Sequence, residues 1–291
     1  TSDYQLYRRF EMDYKLIALD MDGTLLDSQN EISKRNIKAL EEAARRGKYI
    51  ALSTGRILKS ALYYSKSLGV IDSIMACNGA IITLENNKDI IHEEFLELDI
   101  SRNIMKLAEE NNIYYHFYDK DTLYSKEIDG RPIEYYKSYK KRLMEQGIKF
   151  KILKEPLEIL KDKELKIYKF SFIEDDEEKL SIFKEKLGKI QKINISSSWF
   201  NNIEAMSENV SKGNGIKYLC QALDIDISQV LAIGDNKNDI SMFQICGLAI
   251  AMENGEEIAK KYSHAITDTN NRDGVAKAIE KYIFKKDIIG I

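Results

Sequence analysis

At 291 residues, 44% of them hydrophobic and 31% charged, the chain is long enough for one large domain or two ordinary ones and composed like a globular protein rather than a disordered one. A net charge of −3 leaves no basic excess to neutralise a nucleic-acid backbone, and no apolar run approaches the roughly 18 residues that a membrane span needs. Cys77, Cys220 and Cys246 have no C-x-x-C spacing and cannot all pair, so they are read as reduced thiols of a cytoplasmic protein.

The opening TSDYQLYRRFE lacks the apolar core of a secretory signal, and residues 1–11 are read as an extension or expression leftover before Met12. KLIALDM then has the length and apolarity of a buried strand. SKRNIKALEEAARRG reads as a helix, with Ser33 as N-cap, Gly47 as stop, and Ile37, Leu40 and Ala44 at helical spacing. YIALSTGR is a second strand and ILKSALYYSKSLGV a second helix. SIMACNGAII is a third strand, broken at Asn78-Gly79. This β-α-β-α-β order predicts a parallel sheet with helices on its faces.

Beyond residue 84 the grammar changes. Residues 85–190 are richer in Tyr, Lys and Glu, and IYYHFYD and LKIYKFSFI alternate like one-sided strands between amphipathic helices. An inserted α+β domain is the economical reading. Residues 191–291 return to the first pattern: SKGNGIKYLCQALDI and NDISMFQIC as helices, VLAIGD and GLAIAM as strands, GEEIAKKYS and GVAKAIEKYI as helices. The predicted fold is therefore α/β: a Rossmann-like parallel-sheet core from 12–84 and 191–291, with 85–190 inserted as a separate domain.

Ligands of open α/β sheets bind at the carboxyl ends of the strands. Here those ends carry Asp20, Asp22 and Thr24; Ser53, Thr54, Gly55 and Arg56; and Asp235, Asn238 and Asp239, while Lys212 stands in the loop after the insert. Asp20 and Asp22 alone could be turn residues, and Lys212 alone a surface lysine. Four acids, a lysine and three hydroxyls on one edge are electrostatically tolerable if a divalent cation and a phosphate sit among them, and hard carboxylate oxygens suit Mg²⁺. GNG at 213–215 is no dinucleotide fingerprint, since Tyr218 stands where the third glycine belongs. The histidines His92, His116 and His264 are isolated and read as structural. Tyr114, Tyr115, His116 and Tyr118 are weaker candidates for lining a pocket.

DMDGT, STGR, SKG and GDNKND, in this order, resemble the four signature motifs of the haloacid dehalogenase-like phosphohydrolases. The short gap to STGR, CNGA after the next strand, and the large insert before SKG resemble the Cof-type sugar-phosphatase branch. The resemblance implies a Mg²⁺-dependent phosphatase acting on small phosphorylated molecules, with residues 85–190 as a cap that selects substrate. It implies Asp20 as nucleophile and Asp22 as general acid and base, the backbone carbonyl of Asp22 contacting the metal. Asp20 and Asp235 would be metal ligands, and Asp239 an outer support. Thr54, preferred over Ser53 because the motif residue directly precedes the glycine, would hold phosphate together with Lys212, Gly55, Asn238 and the backbone near Met21. Arg56 and Asn78 would face the substrate. A phosphotransferase or mutase on the same core, or a phosphate-sensing protein without turnover, are the alternatives. Oligomeric state is left open.

Overall fold

The computed structural model describes residues 9, 12–84, 89–126, 140–197 and 201–285, so residues 1–8, 10 and 11 of the proposed extension lie outside the described residues. It divides into two compact units: 1–54, 65–92 and 211–291 form the first, and 55–64 with 93–210 the second.

In the first unit the apolar runs become an eight-stranded sheet. The strands are β1 (Leu16–Leu19), β2 (Tyr49–Ser53), β3 (Ser73–Ala76), β4 (Ile81–Leu84), β5 (Asp89–Glu93), β12 (Val230–Gly234), β13 (Leu248–Met252) and β14 (Ala265–Thr267), in the order β14-β13-β12-β1-β2-β3-β4-β5. Strands β1, β12 and β13 are buried along their whole length, which is why they read as unbroken apolar runs rather than alternating ones. Register places the chemistry. Leu19 of β1 lies beside Ile233 of β12 on one side and Leu52 of β2 on the other, so all three strands end at one level.

Three local expectations change. SIMACNGAII is a hairpin, not one strand: β3 and β4 pair antiparallel, and the chain reverses through left-handed Cys77 (φ 48°), Asn78 (φ 59°) and Gly79 (φ 96°). The helix Lys34–Arg45 does begin at a Ser33 cap and stops at Gly47 (φ 74°), but it buries Asn36, Ala39, Leu40 and Ala43 rather than the Ile37 and Ala44 stripe. Burial of Asn36 has a reason: its Oδ1 accepts from the Ala276 N–H, 2.9 Å away. Finally, β5 belongs to the first sheet and β10 (Ile193–Ser196) with β11 (Asn202–Ser207) to the second, so sheet membership does not change at 85 and 190.

The second unit holds a six-stranded sheet in the order β10-β11-β9-β6-β7-β8, with β6 at Tyr114–Tyr118, β7 at Thr122–Lys126, β8 at Lys149–Leu153 and β9 at Lys169–Ile173. One face is apolar: Tyr115, Phe117, Phe170, Phe172, Ile203 and Ala205 pack with the helices Leu98–Glu110 and Glu177–Leu187. Tyr115 is thus a core residue, as strand alternation requires. His116, on the opposite face, donates to or accepts from the Tyr118 hydroxyl at 2.7 Å. Trp199 and Phe200, which the sequence suggests as core or hinge packing rather than a base-stacking platform, lie outside the described residues. Among the described residues, no helix is long and apolar enough to cross a membrane.

Burial, and then the nearby Lys169 ammonium, lower the pKa of His116 to about 3, against the opposing pull of Glu204. The unfolded chain therefore binds the extra proton first. His116's contribution to stability is complete above about pH 6.5 and falls by roughly 1.4 kcal/mol per pH unit below it, down to the folded value. Urea midpoints taken at about pH 7.5 and about pH 5.5 should drop further for the wild type than for His116→Gln. Equal drops would mean that His116 titrates normally in the folded protein.

Candidate active site

β1 stops at Leu19, and the chain turns immediately: the Met21 carbonyl accepts from the N–H groups of Thr24 and Leu26. Asp20 is buried, anchored by its N–H to the Ile233 carbonyl at 2.9 Å, whereas Asp22 is exposed in the turn. Both acids therefore lie past the end of β1. The turn itself positions them.

Lys212 is the centre of the site. Its ammonium, with a side chain 0% exposed, donates to Asp20 Oδ1 at 2.6 Å and to Asp239 Oδ1 at 2.6 Å. It opens the helix Lys212–Leu223, whose N-cap, Ser211, accepts from the Asn214 N–H. A cation at a helix N-terminus opposes the helix dipole, so the two carboxylates must offset that repulsion as well as the loss of hydration. They do: burial opposes the charge on Lys212, but Asp20 and Asp239 outweigh it and hold its pKa well above the ordinary lysine value.

Asp239 is fully engaged. Its Oδ1 faces Lys212, and its Oδ2 accepts from the N–H groups of Asp235 (2.8 Å) and Asn236 (2.9 Å). This reciprocal cap of the turn after β12 fixes the direction of Asp235. Asp235 Oδ1 accepts from the Thr24 hydroxyl at 2.9 Å. Gly23 makes room for it: the backbone there has φ 75°, and a Cβ would lie 2.3 Å from Asp235 Oδ2.

Asp20, Asp235 and Asp239 each offer an oxygen within 4.8 Å of the others. One buried ammonium cannot neutralise three carboxylates. The excess shows in the protonation: burial, then the Asp20 and Asp239 charges, push Asp235 up to about 9, its carboxyl hydrogen-bonded to Asp20. Burial raises Asp20 to about 7, with Asp239 and Asp22 adding to the shift and Lys212 opposing it. A divalent cation fits this donor set, which is made of hard oxygens with surplus negative charge. Asn238 adds a buried Oδ1 with no partner among the described residues.

The other expected residues divide. Thr54 is buried, its N–H donating to the Met75 carbonyl and its carbonyl accepting from the Asn78 N–H. Asn78 Oδ1 in turn accepts from Asn238 Nδ2 at 3.2 Å, so the hairpin and the GDNKND loop are joined. Ser53 Oγ is buried without a partner among the described residues. Gly55 and Arg56 belong to the second unit, where Arg56 donates to Ser60 Oγ at 3.1 Å and lies over the Tyr64 ring. Two supporting residues had no motif to mark them. Asn254 Nδ2 donates to the Gly23 carbonyl and Asn270 Nδ2 to the Leu26 carbonyl, both at 2.8 Å. The signal was their place, just past the ends of β13 and β14, on the edge where ligands bind.

Residues 17–279 match the sequence profile of the haloacid dehalogenase-like hydrolases. The chain is 31% identical over 277 residues to the 5-amino-6-(5-phospho-D-ribitylamino)uracil phosphatase YcsE of Bacillus subtilis, covering 95% of this chain and 98% of that one. A haloacid dehalogenase-like hydrolase structure from B. subtilis superposes with a TM-score of 0.83 at 27% identity, covering 91% of this chain and 99% of that one. The HAD subclass IIB sugar phosphatase BT4131 superposes with a TM-score of 0.78 over 92% of this chain and 98% of that one; at 20% identity this is a likeness of fold.

Replacing Lys212 by Met should destabilise the protein by about 3–5 kcal/mol, because it strands buried carboxylates. Chemical denaturation measures this. A loss below about 1 kcal/mol would show that the lysine does not hold the cluster together.

Proposed function

This chain belongs to the haloacid dehalogenase-like hydrolase family and is a phosphoric monoester hydrolase, and from that premise we propose that it is a Mg²⁺-dependent phosphatase of small sugar phosphates that works through a phosphorylated aspartate. One observation carries the reading: a single buried lysine binds two carboxylates of a three-carboxylate cluster, leaving a charge surplus suited to a cation and a phosphate.

Asp20, Asp235 and the Asp22 carbonyl would hold the ion, with Asp239 as outer support because its oxygens are already engaged. When bound, Mg²⁺ supplies charge neutralisation and polarises phosphoryl oxygens. Asp20 is the nucleophile. Lys212 fixes its orientation and favours its ionised form, so that a carboxylate oxygen attacks phosphorus as the ester oxygen departs. Asp22, exposed and hence able to exchange protons with solvent, protonates the departing alkoxide and then takes a proton from the water that cleaves the acyl phosphate. Thr54, Asn238 and Lys212 bind the phosphoryl oxygens, with backbone N–H groups near Met21 and Gly55. Arg56 and Asn78 are assigned to substrate contact.

The substrate class rests on two names. YcsE is named for a phosphate ester on a ribityl chain, and BT4131 as a sugar phosphatase. Both point to a polyhydroxylated ester of modest size. The inserted unit is read as the cap that chooses among such esters.

The purified protein should hydrolyse p-nitrophenyl phosphate with added Mg²⁺ and stop in excess chelator. Asp20→Asn should lower kcat by roughly 10³-fold or more without unfolding, because an amide is a poor nucleophile. Turnover that survives chelation, or a fully active Asp20→Asn, would refute the mechanism.

A further inference from the structure

The second unit contains a buried ion pair that its own core does not need. Lys169 on β9 and Glu204 on β11 are 4% and 3% exposed, and their charged atoms lie 2.7 Å apart. Both are on the face opposite the phenylalanine core. Glu204 stands across from Ser171, so Lys169 is its diagonal neighbour on the same face. The pair is built in on every side: Glu204 Oε2 accepts from Ser196 Oγ at 3.2 Å, and the Lys169 ammonium lies 5.4 Å from the centre of the Tyr118 ring. Burying two charges costs several kcal/mol, roughly, and a packed apolar pair commonly serves a fold as well or better. Stability alone therefore does not account for it.

A further bond of the ammonium leads off the sheet. Lys169 Nζ donates to the Gly55 carbonyl at 2.5 Å. Gly55 is covalently next to Thr54, whose own N–H and carbonyl are both held by backbone bonds to Met75 and Asn78. The peptides on both sides of Thr54 are thus held, by β3 and by the hairpin turn after it. Downstream of Thr54 comes a glycine, the residue with the widest range of backbone conformations. Lys169 removes that freedom by holding the Gly55–Arg56 peptide plane. Beyond it, Ile57 is anchored among Tyr118, Leu123, Leu143 and Ile148.

We propose that Lys169, held in place by Glu204, is a positioning residue for the phosphate-binding turn at Thr54–Gly55, acting through the Gly55 carbonyl. The inference rests on the assignment of that turn to phosphate under the proposed function. A charge-assisted bond to a backbone carbonyl is shorter and stronger than a neutral one, which explains why a lysine with its own counter-ion stands here. The buried position and the engaged ammonium distinguish this role from direct contact with the sugar.

Three full-length variants test it: Lys169→Met, Lys169→Met with Glu204→Leu, and Lys169→Arg. Inorganic phosphate affinity is measured by calorimetry with Mg²⁺, and kcat and KM with p-nitrophenyl phosphate, which has no polyol for a cap to recognise. The first two variants should weaken phosphate binding and kcat/KM by on the order of tenfold, the effect of a displaced positioning group. The double variant should keep or exceed the wild-type urea midpoint, and Lys169→Arg should recover part of the loss. A folded double variant with wild-type phosphate affinity and turnover would overturn the proposal. If the double variant does not fold, Glu204→Gln takes its place, with the same loss expected and the same contrary result. A wild type that neither binds phosphate nor hydrolyses the ester would refute the proposed function itself, an outcome distinct from variants that match an active wild type.

Discussion

The architecture of the first unit depends on one ammonium group. Lys212, without solvent contact, ties the acid after β1 to the acid in the turn after β12. Three carboxylates within 4.8 Å would otherwise drive those strand ends apart. The lysine neutralises one charge and, through Asp239, fixes the loop that aims Asp235. What it leaves unneutralised is a negative surplus, expressed in the raised proton affinities of Asp20 and Asp235. The same arrangement that crowds three acids together suits the cluster to a cation.

Much of this was legible in the sequence because it depends on residue type at strand ends. An apolar run that stops at Asp20 and another that stops at Asp235 mark one sheet edge, and Lys212 follows a helix-capping serine. Other features depend on backbone conformations that composition does not reveal. Cys77 adopts a left-handed geometry that its side chain normally avoids, and a hydrophobic pattern does not tell a break at Asn78-Gly79 within one strand from a full reversal of the chain. Strand β5 carries charges and sits at a sheet edge, where pairing need not bury it. Asn36 broke the helix stripe because a distant backbone N–H needed an acceptor. The supporting Asn254 and Asn270 act through carbonyls far away in the chain, and only their place past two strand ends marks them.

The second unit follows a different logic. Its sheet has one aromatic face for stability and one face where charge and hydrogen bonds are buried in pairs. His116 stays neutral there, and Lys169 lies 2.7 Å from Glu204. A chain that needed only a stable insert could have filled that face with apolar side chains. Keeping polar groups there, each with a partner, is consistent with a unit that serves chemistry rather than packing alone.

The central claim is that the carboxylate cluster is incomplete without a divalent cation. Thermal melting of the wild type and Asp235→Asn, each in excess chelator and in excess Mg²⁺, tests it without relying on turnover. A ligand that binds only the folded state raises its melting temperature. The account predicts that Mg²⁺ raises the melting temperature of the wild type, and that Asp235→Asn melts at or above the wild type in chelator and gains nothing from Mg²⁺. An equal Mg²⁺-dependent rise in both proteins would contradict it.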